Sequence, residues 1–175
     1  QIREKEASYD EFKRIALDVK KVTDKYNVPM IINDNVELAK DIDADGVHVG
    51  GDDMSVANAR KILGNNKIIG ATARTYERAV TAVSQGADYL GIGAMFDTST
   101  KSGTTHMTKE LSNKITSYAD IPVVGIGGIN SENIMSLEGY GIDGVAVVSA
   151  IFKSEDIEKS AKIMKEKASK IVRES

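Results

Sequence analysis

A chain of 175 residues, 41% hydrophobic and 28% charged, can bury one sizeable core, and this composition calls for a single globular domain. Its 23 basic and 26 acidic residues leave a net charge of −3 with the bases spread along the chain, which argues against a nucleic-acid partner. No cysteine is present, so disulfides, thiolate metal sites and a cysteine nucleophile are excluded, and no apolar run approaches membrane-spanning length; a soluble, cytoplasmic protein is expected.

Short β-rich runs alternate with helical stretches. The predicted strands are QIRE (1–4), MIIN (30–33), GVHVG (46–50), KIIGA (67–71), YLGIG (89–93), VVGIG (123–127) and GVAVV (144–148). Residues 10–26 have helical periodicity, with Phe12, Ile15, Ala16, Val19 and Val22 near one face, and 154–173 reads as an amphipathic closing helix with a solvated Lys/Glu face. Seven strand-then-helix units follow one another, and continuous apolar strands with crossover helices argue for a parallel sheet covered on both faces.

A weak repeat supports this. ADGVHVG (44–50), ADYLGIG (87–93) and IDGVAVV (142–148) each feed an Asp into an apolar strand, and Gly86 and Gly141 precede two of them as expected helix C′ glycines. Regular βα repetition leaves a closed (β/α)8 barrel or an open doubly wound sheet, and the absence of a GxGxxG turn after a first strand favours the barrel.

In a barrel the C-terminal strand ends converge on one mouth. Here those ends carry Arg3 and Lys5, then Asn33 and Asp34, then His48 with Asp52 and Asp53, then Thr72, then DTSTK (97–101). For any single Asp or Asn an N-cap role is the stronger reading, but it weakens when many strand ends share the pattern. Two neighbouring carboxylates suit Mg²⁺, which takes one or two protein carboxylates and completes its shell from substrate phosphates and water. Arg3, Lys5 and Lys101 would face the same phosphates, so a pyrophosphate ligand is implied. GIGGI (125–129) and VVSAIF (147–152) put small residues where strand meets helix, where backbone N–H groups can approach a second phosphate. Gly127 and Gly128 could equally serve only as tight turns.

QIREK, VPMIIND, ADGVHVG followed by DD, TSTK, IPVVGIGGIN and DGVAVVSAI, in this order, closely resemble the thiamin phosphate synthase (thiamine-phosphate pyrophosphorylase) family, from Gln1 to about residue 152. The resemblance implies a (β/α)8 TIM barrel and an Mg²⁺-dependent transferase. Such an enzyme couples 4-amino-5-hydroxymethyl-2-methylpyrimidine diphosphate to 4-methyl-5-(2-phosphoethyl)thiazole, giving thiamin phosphate and pyrophosphate by a dissociative substitution. It puts Arg3, Lys5, Asn33 and Lys101 on the pyrophosphate, with Thr72 where a serine usually makes a phosphate contact, and Asp34 and Asp53 on Mg²⁺. Gln1 and His48 would lie near the pyrimidine; for His48, a satisfied core histidine stands as an equal alternative. Thr98 and Thr100, the backbone around Gly128, and Val148 with Ser149 would hold the thiazole phosphate.

Four positions depart from the family pattern: Gly51 for a common glutamine, Thr72 for serine, Arg74 for a frequent histidine and Asp97 for the proline of the usual PT turn. His106 reads as a solvated loop histidine. Family members have a first βα unit before the strand holding REK, so the chain is expected to begin within the second strand. That leaves βα units 2–8 in one domain, seven strands where closure needs eight. A longer native chain, or a partner chain over the gap, would answer the exposed edges. The competing functions are a thiazole tautomerase-like isomerase, which would not need the paired carboxylates, and an inactive phosphate-binding barrel. Oligomeric state is open.

Overall fold

The computed structural model describes residues 1–51, 53–97 and 106–173. Its residues group into two compact units, Gln1–Thr72 with Ala82–Asp88, and Ala73–Thr81 with Tyr89–Ser175. Among the described residues, no helix is long and apolar enough to cross a membrane.

In the first unit, α1 (Tyr9–Lys25) is followed by β1 (Ile31–Asn33), α2 (Val36–Asp41), β2 (Gly46–Val49), α3 (Val56–Leu63) and β3 (Ile68–Thr72). The helices start where the sequence offers a capping side chain: Ser8 accepts the Glu11 N–H, Asn35 that of Leu38 and Ser55 that of Asn58. The three strands are parallel and pair in chain order, Ile32 opposite Val47 and Val47 opposite Ile69. All four residues of β2 are buried, as expected for a parallel strand covered on both faces. The core of this unit holds Met30, Ile32, Leu38, Val47 and Ile69.

The second unit contains β4 (Tyr89–Ile92), α5 (Lys109–Tyr118), β5 (Val123–Ile126), a 3-10 helix (Ile134–Leu137), β6 (Gly144–Ala146), α6 (Ser149–Phe152) and α7 (Ile157–Ala168). Between β3 and β4 the chain forms α4 (Tyr76–Ser84), which the division of the chain crosses. Thr108 and Asp156 cap α5 and α7. Strands β4, β5 and β6 are parallel in chain order, Gly91 opposite Val124 and Gly125 opposite Val145. Leu90, Ile92, Ile115, Ile134, Leu137 and Ile142 fill the core here, whereas β6 is half-buried throughout.

The repeated Asp has a definite job. Asp45, Asp88 and Asp143 each donate their backbone N–H to the carbonyl of Met30, Ile69 or Val123, and each accepts that same residue's N–H on its carboxylate at 2.7 Å. Each carboxylate thus closes a two-bond ring at the start of a neighbouring strand, supplying an acceptor to a backbone donor that burial would otherwise leave unpaired. Arg60 grips Asp88 at 2.6 Å, and Arg173 grips Asp143 at 2.7 Å.

Several expectations are corrected. Residues 1–4 form no strand; Ile2 alone makes a parallel bridge to Ile32. The strand expected over 144–148 stops at Ala146, because Val148 turns out of extended geometry (φ −122°, ψ −74°) into α6. The connection from β5 to β6 is a 3-10 turn rather than a full helix, so the strand-then-helix regularity breaks there. Val22 is 56% exposed, since α1 buries only Phe12 and Ala16. The closing helix is shorter than 154–173, running from the Asp156 cap to Ala168. Gly86 and Gly141 do take positive φ, +87° and +70°, but Gly141 follows the 3-10 turn and not an α-helix.

Candidate active site

Asn33 ends β1 and Asp34 follows it, yet neither caps α2; that role belongs to Asn35, whose carboxamide oxygen accepts the Leu38 N–H at 2.9 Å. Asp34 sits at φ +66°, a left-handed conformation that Asp tolerates better than most side chains, with its N–H donated to the His48 carbonyl. Asp53 likewise leaves the capping of α3 to Ser55, and its carboxylate accepts the Gly50 N–H at 2.8 Å. The N-cap reading of these residues is therefore overturned, and their polar groups are turned to another use.

That use starts from a carboxylate pair. Burial raises the Asp34 carboxyl above its usual range, and a side-chain hydrogen bond to Asp53 and the Asp53 charge raise it further, while Lys5 and Arg3 pull it down. A cation bound between the two carboxylates would offset the cost of holding the Asp34 charge there. Among the described residues no three or more His, Cys, Asp or Glu side chains are placed to hold a metal ion together, so an ion held by Asp34 and Asp53 would take the rest of its shell from ligand oxygens and water. That donor set fits Mg²⁺. Arg3 and Lys5 are exposed and, among the described residues, make no ion pair. Asn33 is 9% exposed, and its side-chain amide forms no hydrogen bond among the described residues.

Asn33, Asp34 and Asp53 line a cleft of about 520 Å³ whose walls also include Glu4, Tyr9, Phe12, Glu37 and Met54. These further residues were not singled out from the sequence. For Tyr9, Phe12 and Glu37 the available signal was their place in the first turn of a helix; Glu4 and Met54 carried none.

His48, at 8% exposure in the middle of β2, has its Nε2 2.9 Å from the Thr72 hydroxyl. The Thr72 oxygen thereby has a partner within the protein, and His48 is both buried and bonded. Gln1 is exposed.

In the second unit, Gly127 and Gly128 both have positive φ, +99° and +67°. A Cβ on Gly127 would meet Ala94, and one on Gly128 the backbone carbonyls of Phe96 and Asp97, so the turn is pressed against the segment leaving β4. The tight-turn role is thus real, and it coexists with open donors: among the described residues the N–H groups of Gly127 and Gly128 have no acceptor. Val148 is 65% exposed and Ser149 opens α6. Asp97 and His106 are joined at 2.9 Å on the surface. Thr98, Thr100, Lys101 and Asp52 lie outside the described residues.

Each unit therefore has parallel strands in chain order with unspent polar groups after their C-terminal ends, and this defines an α/β protein with candidate ligand-binding groups on its strand-to-helix turns. A family model of thiamine monophosphate synthase matches residues 1–151. The thiamine-phosphate synthase of Ruminiclostridium cellulolyticum is 52% identical over 161 residues, 92% of this chain and 77% of that protein. That of Clostridium botulinum is 47% identical over 171 residues, 98% of this chain and 80% of the relative. The solved thiamine phosphate pyrophosphorylase from Pyrococcus furiosus matches with a TM-score of 0.87 at 36% identity, covering 97% of this chain and 81% of that one. A 3-hexulose-6-phosphate synthase, at 19% identity and a TM-score of 0.67 over 90% of this chain and 81% of its own, shares the fold alone. The chain belongs to the thiamine monophosphate synthase family.

Proposed function

We infer that the chain is a thiamine-phosphate synthase, a transferase that joins a pyrimidine diphosphate to a phosphorylated thiazole on a (β/α)8 barrel framework. The barrel reading is supported by parallel strands that pair in chain order within each unit and by the likeness to the Pyrococcus furiosus structure. The observation that carries the chemistry is the contact between Asp34 and Asp53, two carboxyls excused from capping and set under the charges of Lys5 and Arg3.

Asp34 and Asp53 would hold Mg²⁺, which, when bound, supplies positive charge to the oxygens of a leaving pyrophosphate. Arg3, Lys5 and Lys101 supply the remaining countercharge to the developing anion and the Asn33 amide a hydrogen bond. The bond from the pyrimidine methylene carbon to pyrophosphate oxygen breaks with its electron pair going to pyrophosphate, and the electron-rich aminopyrimidine bears the resulting positive charge. The thiazole nitrogen lone pair then forms the new carbon–nitrogen bond. No protein nucleophile is required. Gln1 and His48 orient the pyrimidine, with Thr72 fixing the His48 ring. Thr98, Thr100, the N–H groups at Gly128, and Val148 with Ser149 retain the thiazole phosphate. Fixing two reactants in line contributes up to about 7–11 kcal/mol of such a barrier.

Incubation of the protein with both phosphorylated substrates and Mg²⁺, with thiamin phosphate and pyrophosphate quantified together, tests this reading. Equimolar formation of the two products is expected. A folded protein that forms neither, or that only isomerises the thiazole phosphate, contradicts it.

A further inference from the structure

Three consecutive carbonyls in the glycine turn are each held by a donor: Ile126 by the Met95 N–H at 3.0 Å, Gly127 by the Phe96 N–H at 3.0 Å, and Gly128 by the Asn133 side-chain amide at 2.9 Å. In a planar trans peptide the N–H points opposite to the C=O. The N–H groups of Gly127, Gly128 and Ile129 are therefore directed away from these three donors, and among the described residues none of them has an acceptor. Two of the carbonyls are held by backbone, which no side-chain change can remove; the third depends on one residue.

Asn133 is itself fixed. Its Oδ1 accepts the Asn130 N–H at 2.8 Å, while the Asn130 carboxamide oxygen accepts the N–H groups of Glu132 and Asn133. Ile129 and Ile134, both buried, anchor the segment on either side. Although it stands at the start of the 3-10 helix, Asn133 makes no capping bond to it; its amide is committed backwards, to Gly128.

We propose that Asn133 is a positioning residue for phosphate recognition: by holding the Gly128 carbonyl it turns the Ile129 N–H outward, completing a row of three amides for the phosphate of the thiazole substrate. This rests on the functional reading above for the identity of the ligand. The backbone geometry that presents the amides stands independently of it.

Two variants separate the roles of the side chain. Asn133→Asp keeps an oxygen for the Asn130 N–H but has no donor for Gly128, and Asn133→Leu is uncharged and of similar size. Both are expected to raise KM for the thiazole phosphate about tenfold or more, the loss typical of a misdirected hydrogen bond to a charged group, with KM for the pyrimidine diphosphate changed less than about twofold. A general loosening of the fold would move both constants. In parallel, ¹⁵N-labelled protein is titrated with inorganic phosphate. The Gly127, Gly128 and Ile129 amide signals are expected to shift in the unmodified protein, with the Ile129 response lost in Asn133→Asp. An unchanged thiazole-phosphate KM in the folded Asp variant, or an Ile129 amide indifferent to phosphate, overturns the proposal and leaves the synthase reading intact. Should the protein prove inactive, the Ile129 response to phosphate and its loss in Asn133→Asp, or in Asn133→Ser where the Asp variant does not fold, decide alone.

Discussion

Replacing Asp88 with alanine removes the acceptor of a buried backbone donor, and the structure sets the size of the loss. Ile69, whose N–H bonds to the Asp88 carboxylate at 2.7 Å, is 0% exposed, so water cannot substitute. An orphaned buried donor costs about 1–3 kcal/mol. The lost Arg60–Asp88 ion pair adds at most about 1 kcal/mol, because the Asp88 side chain is 46% exposed. Arg60 keeps its bonds to the carbonyls of Gly64, Lys67 and Gly86, so its own charge stays satisfied. The expected loss for Asp88→Ala is about 1–4 kcal/mol, read as a lower urea midpoint at unchanged slope. Asp88→Asn retains an oxygen for Ile69 and loses only the ion pair, about 1 kcal/mol or less. The reasoning fails if the alanine variant lies within about 0.5 kcal/mol of the unmodified protein, or if the asparagine variant is as damaging as alanine.

Ser55→Ala removes the α3 cap and is expected to cost about 1 kcal/mol of stability with catalytic rate unchanged, whereas Asp53→Asn, two residues earlier, should impair turnover with little loss of stability; melting curves and initial rates on the two variants decide. Because burial and Asp53 raise the Asp34 carboxyl in the fold, the metal-free folded state binds a proton more readily than the unfolded chain. Its stability is therefore expected to fall as pH rises from the ordinary carboxylate range through the raised value, and Asp34→Asn should remove that slope and stabilise the metal-free protein at neutral pH. A pH series of denaturant midpoints without metal checks the sign. Gly128→Ala imposes a left-handed conformation on alanine, costing at least about 1 kcal/mol, and drives its Cβ into backbone carbonyls; weaker thiazole-phosphate binding and a lower melting temperature are expected together.

The strands legible in the sequence were those with apolar runs long enough to be buried on both faces. GVHV became β2 with every residue buried, and IIGAT became β3. QIRE misled because a strand needs a partner as much as a pattern, and only Ile2 finds one, at Ile32. Helix starts were not legible in the same way, since the caps of α2 and α3 are Asn35 and Ser55 rather than Asn33, Asp34 or Asp53, and periodicity overestimated the buried face of α1, which buries Phe12 and Ala16 and leaves Val22 exposed. The repeated Asp was visible as a pattern, while its meaning, a bond back to the start of a neighbouring strand, is a long-range contact that no local rule reports. Asn33, Asp34 and Asp53 drew attention because polar groups on apolar strands demand an explanation, and the structure brings the three to one cleft. Asn133 drew none, because an Asn after a glycine turn looks like an ordinary cap until its partner, Gly128, is seen.

The dependence of initial rate on Mg²⁺, measured at saturating substrates for the unmodified protein and for Asp34→Asn and Asp53→Asn, tests the central claim most directly. The account predicts saturable Mg²⁺ activation of thiamin phosphate formation in the unmodified protein. Each variant should need at least about tenfold more Mg²⁺ or lose at least about a hundredfold in rate, as expected when an electrostatic group acting on the leaving anion is removed. Variants that follow the unmodified protein's Mg²⁺ curve at an undiminished rate would contradict the assignment of Asp34 and Asp53 to the ion.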